Sequence, residues 1–181
     1  MEKEIILSVD QTIEEVTENV SKHILWHIVN ATIFRLFPTR MKRPRILLLE
    51  LFGAKLAKTC TISRTVEIDF PWNLEIGHLS GIGAHSYVNC YHKIRIGDKC
   101  RIGEHVNLLA GDIHSDRINN QIVIDNGCWI SSGSSVLQGV RLGQYTMVGE
   151  NSIVDVDTQP YTTVAGMPAK IIEKAILVSS R

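Results

Sequence analysis

Seven histidines stand in the 181-residue chain, and one of them, His114, lies alone in a polar segment, Gly111-Asp-Ile-His-Ser-Asp-Arg-Ile-Asn-Asn-Gln121. Imidazole titrates close to working pH, so it can take a proton from a weakly nucleophilic group and return it. Asp112 and Asp116 flank it, and either carboxylate, or a backbone carbonyl, can orient its second ring nitrogen. His85, in Gly83-Ala-His-Ser86, can hydrogen-bond a polar ligand or simply face solvent, and its residue type does not decide between them. Trp129, in Cys128-Trp-Ile-Ser-Ser-Gly133, is a large aromatic that must find a partner, either a ligand or a neighbouring subunit. His78, His92 and His105, and His23 and His27 nearer the N-terminus, read as structural. Four cysteines without a CxxC pair indicate reduced thiols and a cytosolic compartment rather than a disulfide framework.

These groups need a scaffold, and the composition permits one. With 44% hydrophobic residues the chain can bury a core. Nineteen Lys plus Arg balance nineteen Asp plus Glu, which removes the electrostatic footprint of a nucleic-acid binder. The apolar stretch Ile24 to Phe37 is broken by His27, Asn30 and Arg35 and is too short to span a bilayer. The N-terminus lacks the basic start and small-residue cleavage site of a secretory signal, so a cytoplasmic protein is expected.

One period organises most of the chain. Ile124, Ile130, Val136, Leu142, Val148 and Val154 recur at every sixth position. Four residues after each stands Cys128, Ser134, Val140, Thr146, Ser152 or Thr158, mostly small. The same rule holds upstream in three registers: Leu56, Ile62, Ile68; Ile76, Ile82, Val88; Ile96, Ile102, Leu108. The phase slips by two residues near Leu74/Ile76 and Ile94/Ile96, and it is interrupted between Ala110 and Ile122. A period of six matches neither a helix nor a plain alternating strand. It describes short strands separated by corners, three to a turn, with turns stacked at about 4.8 Å as a parallel β-helix. The loop at 110–121 leaves that coil, and polar excursions from rigid scaffolds are where reactive groups belong.

Upstream, residues 11–37 carry apolar positions at helical spacing, and Arg45 to Phe52 makes a second short helix stopped by Gly53. Residues 1–54 thus form a helical arm that caps the open end of the coil over 55–170.

The Ile-Gly-x-x-x-x hexads from about Leu56 to Lys170 resemble those of the hexapeptide-repeat acyltransferases. Asn30-Ala-Thr-Ile-Phe-Arg-Leu-Phe-Pro38, Leu49-Glu-Leu-Phe-Gly-Ala-Lys-Leu56 and the Ala165-Gly-Met-Pro-Ala-Lys170 turn narrow the resemblance to the exopolysaccharide, colanic-acid type, near the maltose and galactoside acetyltransferases. It implies an all-β, left-handed parallel β-helix with an N-terminal helical arm and a short C-terminal helix over 171–181. It implies an O-acetyltransferase that moves an acetyl group from acetyl-CoA to a sugar hydroxyl in polysaccharide, O-antigen or capsule biosynthesis, with no metal. In that reading His114 is the general base, with Asp112 beside it. His85, Trp129 and Asp116 face the acceptor. Ser132, Gly149 and Ala165 line the pantetheine arm, and Lys170 meets the CoA phosphates. Glu150, Asp155 and Asp157 are acidic where phosphates would pass. Family members are homotrimers with clefts between neighbouring prisms, so His114 of one subunit faces the cofactor groups of the next.

Two alternatives stand on the same fold. A γ-carbonic-anhydrase-like enzyme would hold zinc with three histidines gathered across a trimer interface, for which 85, 92, 105 and 114 are available, although Asn119 stands where a second loop histidine is needed. A non-catalytic β-helix binding protein is the other. Arg35, Arg40, Lys42, Arg43 and Arg45 also suggest peripheral contact of residues 24–45 with an anionic membrane face.

Overall fold

A computed structural model describes residues 20–32, 42–111 and 120–174. The hexads become strands of two or three residues, because each aliphatic position turns inward and the next corner follows at once. Three parallel sheets result. Face A stacks β1 (Lys55–Leu56), β4 (Leu74–Ile76), β7 (Ile94–Ile96), β10 (Ile122–Ile124) and β13 (Arg141–Leu142). Face B stacks β2 (Thr61–Ile62), β5 (Gly81–Ile82), β8 (Arg101–Ile102), β11 (Trp129–Ile130), β14 (Met147–Val148) and β16 (Thr162–Gly166), and then β17 (Ala169–Lys174). Face C stacks β3 (Glu67–Asp69), β6 (Tyr87–Asn89), β9 (Asn107–Leu109), β12 (Ser135–Leu137) and β15 (Ile153–Val154). The chain runs A to B to C and repeats.

The register explains the phase slips. Lys55 pairs with Glu75 and Glu75 with Arg95, so the lower coils hold twenty residues and the two extra ones sit at a corner. Val123 pairs with Arg141, the eighteen-residue coil of the undisturbed repeat. Arg95 pairs with Val123 across the interruption, a coil of twenty-eight. The strands on either side of the interruption keep their pairing.

The small positions do more than fit a tight corner. Ser80 Oγ donates to the Gly97 carbonyl at 2.6 Å and accepts from the Cys100 amide at 2.9 Å. Ser86 and Ser134 make the same links, to Gly103 and Val106 and to Gly149 and Ser152. Each corner is thereby tied to the coil above, where backbone groups have no room for water. All four cysteines are buried and free. Burial pushes the Cys60 thiol up to about 11 and Cys90 well above its ordinary range, so both are packing residues with little thiolate character.

The arm supplies α1, helical over 20–31, and α2 (Lys42–Leu51), which ends where Gly53 adopts φ +98°. Trp26 is fully buried under the first coil, its ring 5.0 Å from Phe52. Its Nε1–H donates to the Ile68 carbonyl at 2.6 Å, covering β3, the edge strand of face C. Val20, Ile24, Leu25 and Ile28 lie on the exposed side of α1. No helix among the described residues is long and apolar enough to cross a membrane.

The C-terminal segment differs from expectation. Residues 171–174, expected as the start of a helix, belong to β17, which pairs antiparallel with β16 from Ala169 opposite Gly166 to Lys174 opposite Thr162. Ala-Lys-Ile-Ile-Glu-Lys has ordinary helix propensity, but the top coil presents an unpaired strand edge. Gly166, at φ +108°, lets the chain reverse and satisfy it. Residues 175–181 lie outside the described residues.

Candidate active site

The loop leaves the prism at the corner between faces C and A. It departs after Ala110 and Gly111 and returns at Asn120 and Gln121, so Asp112, His114 and Asp116 fall within 112–119, outside the described residues. Its two ends are held by one residue, His92, through its backbone at one end and its ring at the other. The His92 amide donates to the Ala110 carbonyl at 2.8 Å, and Asn120 Nδ2 and His92 Nε2 share a hydrogen bond of 3.2 Å. Gly111, at φ +110°, lies flat against the His92 ring, and a Cβ there would stand 2.4 Å from His92 Cδ2. Only glycine meets both demands. Tyr91 packs edge-on against His92 at 5.1 Å and against Phe70 at 5.4 Å, and Asn73 Nδ2 donates to the Cys90 and Tyr91 carbonyls. His92, read from sequence as structural, is therefore the post to which both ends of the loop are fastened. Nothing in the hexad pattern marks it, because its partner Asn120 is twenty-eight residues away.

The expected cofactor positions assemble at a different corner, between faces B and C. Ser132 and Gly149 follow β11 and β14, and Ala165 lies in β16 above them. A Cβ on Gly149 would meet Ala165 Cβ at 2.7 Å, and one on Gly103 would meet the Ser132 amide at 2.8 Å. This column of small residues keeps the backbone bare along the corner, a surface suited to an extended, amide-bearing chain. Lys170 is exposed and pairs with Ala165 at the top of the column.

His85 lies lower on the same corner. It adopts φ +58°, and its ring stacks on His105 at 5.1 Å with planes 13° apart. Trp129 projects from face B between Arg101 and Met147, about half exposed, three residues before Ser132. Beside its row, Tyr145, Met147, Tyr161, Thr162 and Thr163 line a shallow apolar hollow of about 290 Å³. Trp129, Ser132, Gly149, Ala165 and Lys170 thus share one side of the prism.

Glu150 is exposed just past Gly149. Asp157 Oδ1 accepts from the Arg141 amide at 2.7 Å, which turns it toward face A, away from the bare column. Face A carries its own groove of about 520 Å³, lined by Lys93, Arg95, Asn126 and Arg141 among others. Arg141 clasps Asp125 there through contacts of 2.9 to 3.1 Å. His85 and His105 stand on the B–C corner and His92 on the C–A corner, so within one protomer these three do not converge as zinc ligands would.

No protein-family model matches the chain. A protein named as the colanic acid biosynthesis acetyltransferase WcaF of Escherichia coli (strain K12) is 34% identical over 163 residues, 87% of this chain and 90% of its own length. A hexapeptide-repeat acetyltransferase of Vibrio cholerae, solved with acetyl coenzyme A, superposes with a TM-score of 0.72 at 25% identity, covering 88% of each chain. A galactoside acetyltransferase in complex with coenzyme A gives a TM-score of 0.74 at 22% identity over 86% of this chain and 82% of its own, a likeness of fold. The coil is the left-handed β-helix of these proteins. The extent of the match, together with the six-residue coil, makes this chain a member of the hexapeptide-repeat acetyltransferase family, with acetyl-CoA as its donor.

Proposed function

We propose that the protein transfers an acetyl group from acetyl-CoA to a hydroxyl of a saccharide during bacterial exopolysaccharide synthesis, with His114 as general base. The observation that carries the reading is the 34% identity across almost the whole length of a relative named for colanic acid biosynthesis. The coil of twenty-eight residues, ten more than the undisturbed repeat and with His114 among them, agrees with it.

In this reading the imidazole of His114 takes the proton of the acceptor hydroxyl as that oxygen attacks the thioester carbonyl. The new C–O bond makes a tetrahedral oxyanion, held by backbone N–H donors. Collapse breaks the C–S bond, and the departing thiolate receives the proton from the imidazolium. Asp112 or a neighbouring carbonyl orients the ring, and Asp116, His85 and Trp129 contact the acceptor. The pantetheine arm runs along Ser132, Gly149 and Ala165, and Lys170 meets a phosphate.

The arrangement of corners favours a homotrimer. The loop starts from the C–A corner and the bare column lies on the B–C corner, separated by the full width of face C. Placing one prism's loop beside the next prism's column brings base and thioester together across the interface. The setting proposed is cytoplasmic, with the exposed apolar side of α1 and the exposed Arg43 resting on the membrane where lipid-linked sugars are assembled; Arg45, expected from sequence to join that contact, is instead buried against the first coil and takes no part in it.

The test is incubation with acetyl-CoA and a panel of nucleotide-linked and lipid-linked sugars, scored by mass for an added acetyl group. His114→Ala is expected to lower turnover by roughly 10²–10⁴-fold with the fold intact. Transfer unchanged in that variant removes His114 as the base.

A further inference from the structure

Apart from the loop and the bare column, a second cluster of chemically capable groups lies where the arm meets the first coil. His23 and His27 stand four residues apart on α1, on the side that faces the prism, and Asp69 ends β3 opposite them. One ligating atom from each of the three falls within 4.8 Å of the others. We infer that His23, His27 and Asp69 form a binding site for a divalent transition-metal ion of the zinc class, which clamps the arm onto the first coil.

Four observations support the site. The spacing is close to what an ion needs: zinc bonds of about 2.0–2.1 Å in tetrahedral geometry put ligand atoms about 3.3 Å apart. His27 Nε2 and Asp69 Oδ1 are separated by 3.6 Å, too far for a good hydrogen bond and near that ligand separation. His23 Nε2 is buried and has no hydrogen-bond partner, an orphan that a metal ion would satisfy. The ring is also held in place, stacked on Phe70 at 4.2 Å and edge-on to His27 at 4.5 Å. The carboxylate is oriented from behind, since the Tyr87 hydroxyl donates to Asp69 Oδ2 at 2.6 Å, the outer-shell support that ligating carboxylates receive.

The chemistry of the donors selects the ion. Two imidazole nitrogens and one carboxylate oxygen suit Zn²⁺, Co²⁺ or Ni²⁺ and are a poor set for Mg²⁺ or Ca²⁺, which take oxygen ligands. His27 is half exposed, so a fourth position opens toward solvent and a water can fill it. The site lies on the arm, apart from the proposed acyl-transfer groups, and its role is to fasten α1 to the edge of face C.

The test uses full-length protein without a histidine tag, stripped with EDTA and titrated with zinc sulfate by isothermal calorimetry at pH 7.5. One zinc per chain is expected, with no comparable heat from magnesium chloride. His27→Gln is expected to weaken zinc binding by more than about tenfold, and Tyr87→Phe by about tenfold through loss of the outer-shell contact. His78→Gln, on another corner, is expected to bind as the wild type does. His27→Gln should keep the acetylation activity of the wild type, so this test and that of His114 fail independently. Zinc binding of equal affinity in the wild type and His27→Gln, or no stoichiometric zinc in the wild type, overturns the assignment.

Discussion

The docking of the arm can be tested through a single atom. Trp26 is fully buried, and its Nε1–H reaches the Ile68 carbonyl on the edge strand at 2.6 Å. Trp26→Phe keeps most of the ring against Phe52 but removes that donor from a site water does not reach. Stripping a buried carbonyl of its partner costs about 1–3 kcal/mol. Trp26→Ala adds the cavity and should cost about 3–5 kcal/mol. For a chain of this size each kcal/mol moves the melting temperature by about 2–4 °C, so Trp26→Phe should melt roughly 2–12 °C lower, and Trp26→Ala lower still. The assay is thermal unfolding followed by circular dichroism, at one fixed protein concentration because assembly would make the midpoint concentration-dependent. If Trp26→Phe melts within about 1 °C of the wild type, the arm is not held to face C by this bond, and the view of α1 as the cap of the first coil fails.

Two further outcomes follow from the charges on the prism. Glu75 is held below the usual carboxylate range by its hydrogen bond to Lys93, at 2.8 Å, and then by Lys55. A carboxyl whose pKa is lowered by folding contributes stability above its unfolded pKa and loses it as pH falls through the folded value. Lys93→Met should therefore cost under about 1 kcal/mol at pH 7, since the pair is partly exposed, and should flatten the acid limb of the stability profile measured by urea melts from pH 6 to pH 3. An unchanged acid limb would show that the pair carries no pH dependence. Lys170→Glu should raise KM for acetyl-CoA with little change in kcat, and the effect should shrink as salt is added. Equal KM values at low salt would remove Lys170 from the phosphate site.

The repeat is legible in the sequence because every hexad makes the same local decision. An aliphatic residue points in, and a small residue fits beneath the corner. Ile124 through Val154 could therefore be read as coils, and the gap from Ala110 to Ile122 as a loop, without any long-range information. The small positions at Ser80, Ser86 and Ser134 were visible by type, although their hydrogen bonds to the next coil were not. Lys170 and the cofactor positions came from resemblance, and the coil then gathered Ser132, Gly149 and Ala165 onto one corner.

What only the tertiary structure decided depends on contacts between residues distant in the chain. Which corner the loop leaves depends on how coils of eighteen, twenty and twenty-eight residues add up, and pairing across the sheets enforces that sum. His92 becomes the anchor of the loop because Asn120 returns beside it. His23 and His27 meet Asp69 because Trp26 between them docks on the edge of face C. Ala169–Lys174 is a strand because the last coil leaves an edge to be paired, a demand that outweighs the segment's own helix propensity. A short period records what each residue needs from its immediate neighbours, whereas edges, corners and the arm are settled by backbone groups and buried side chains that find their partners only once the coil has closed.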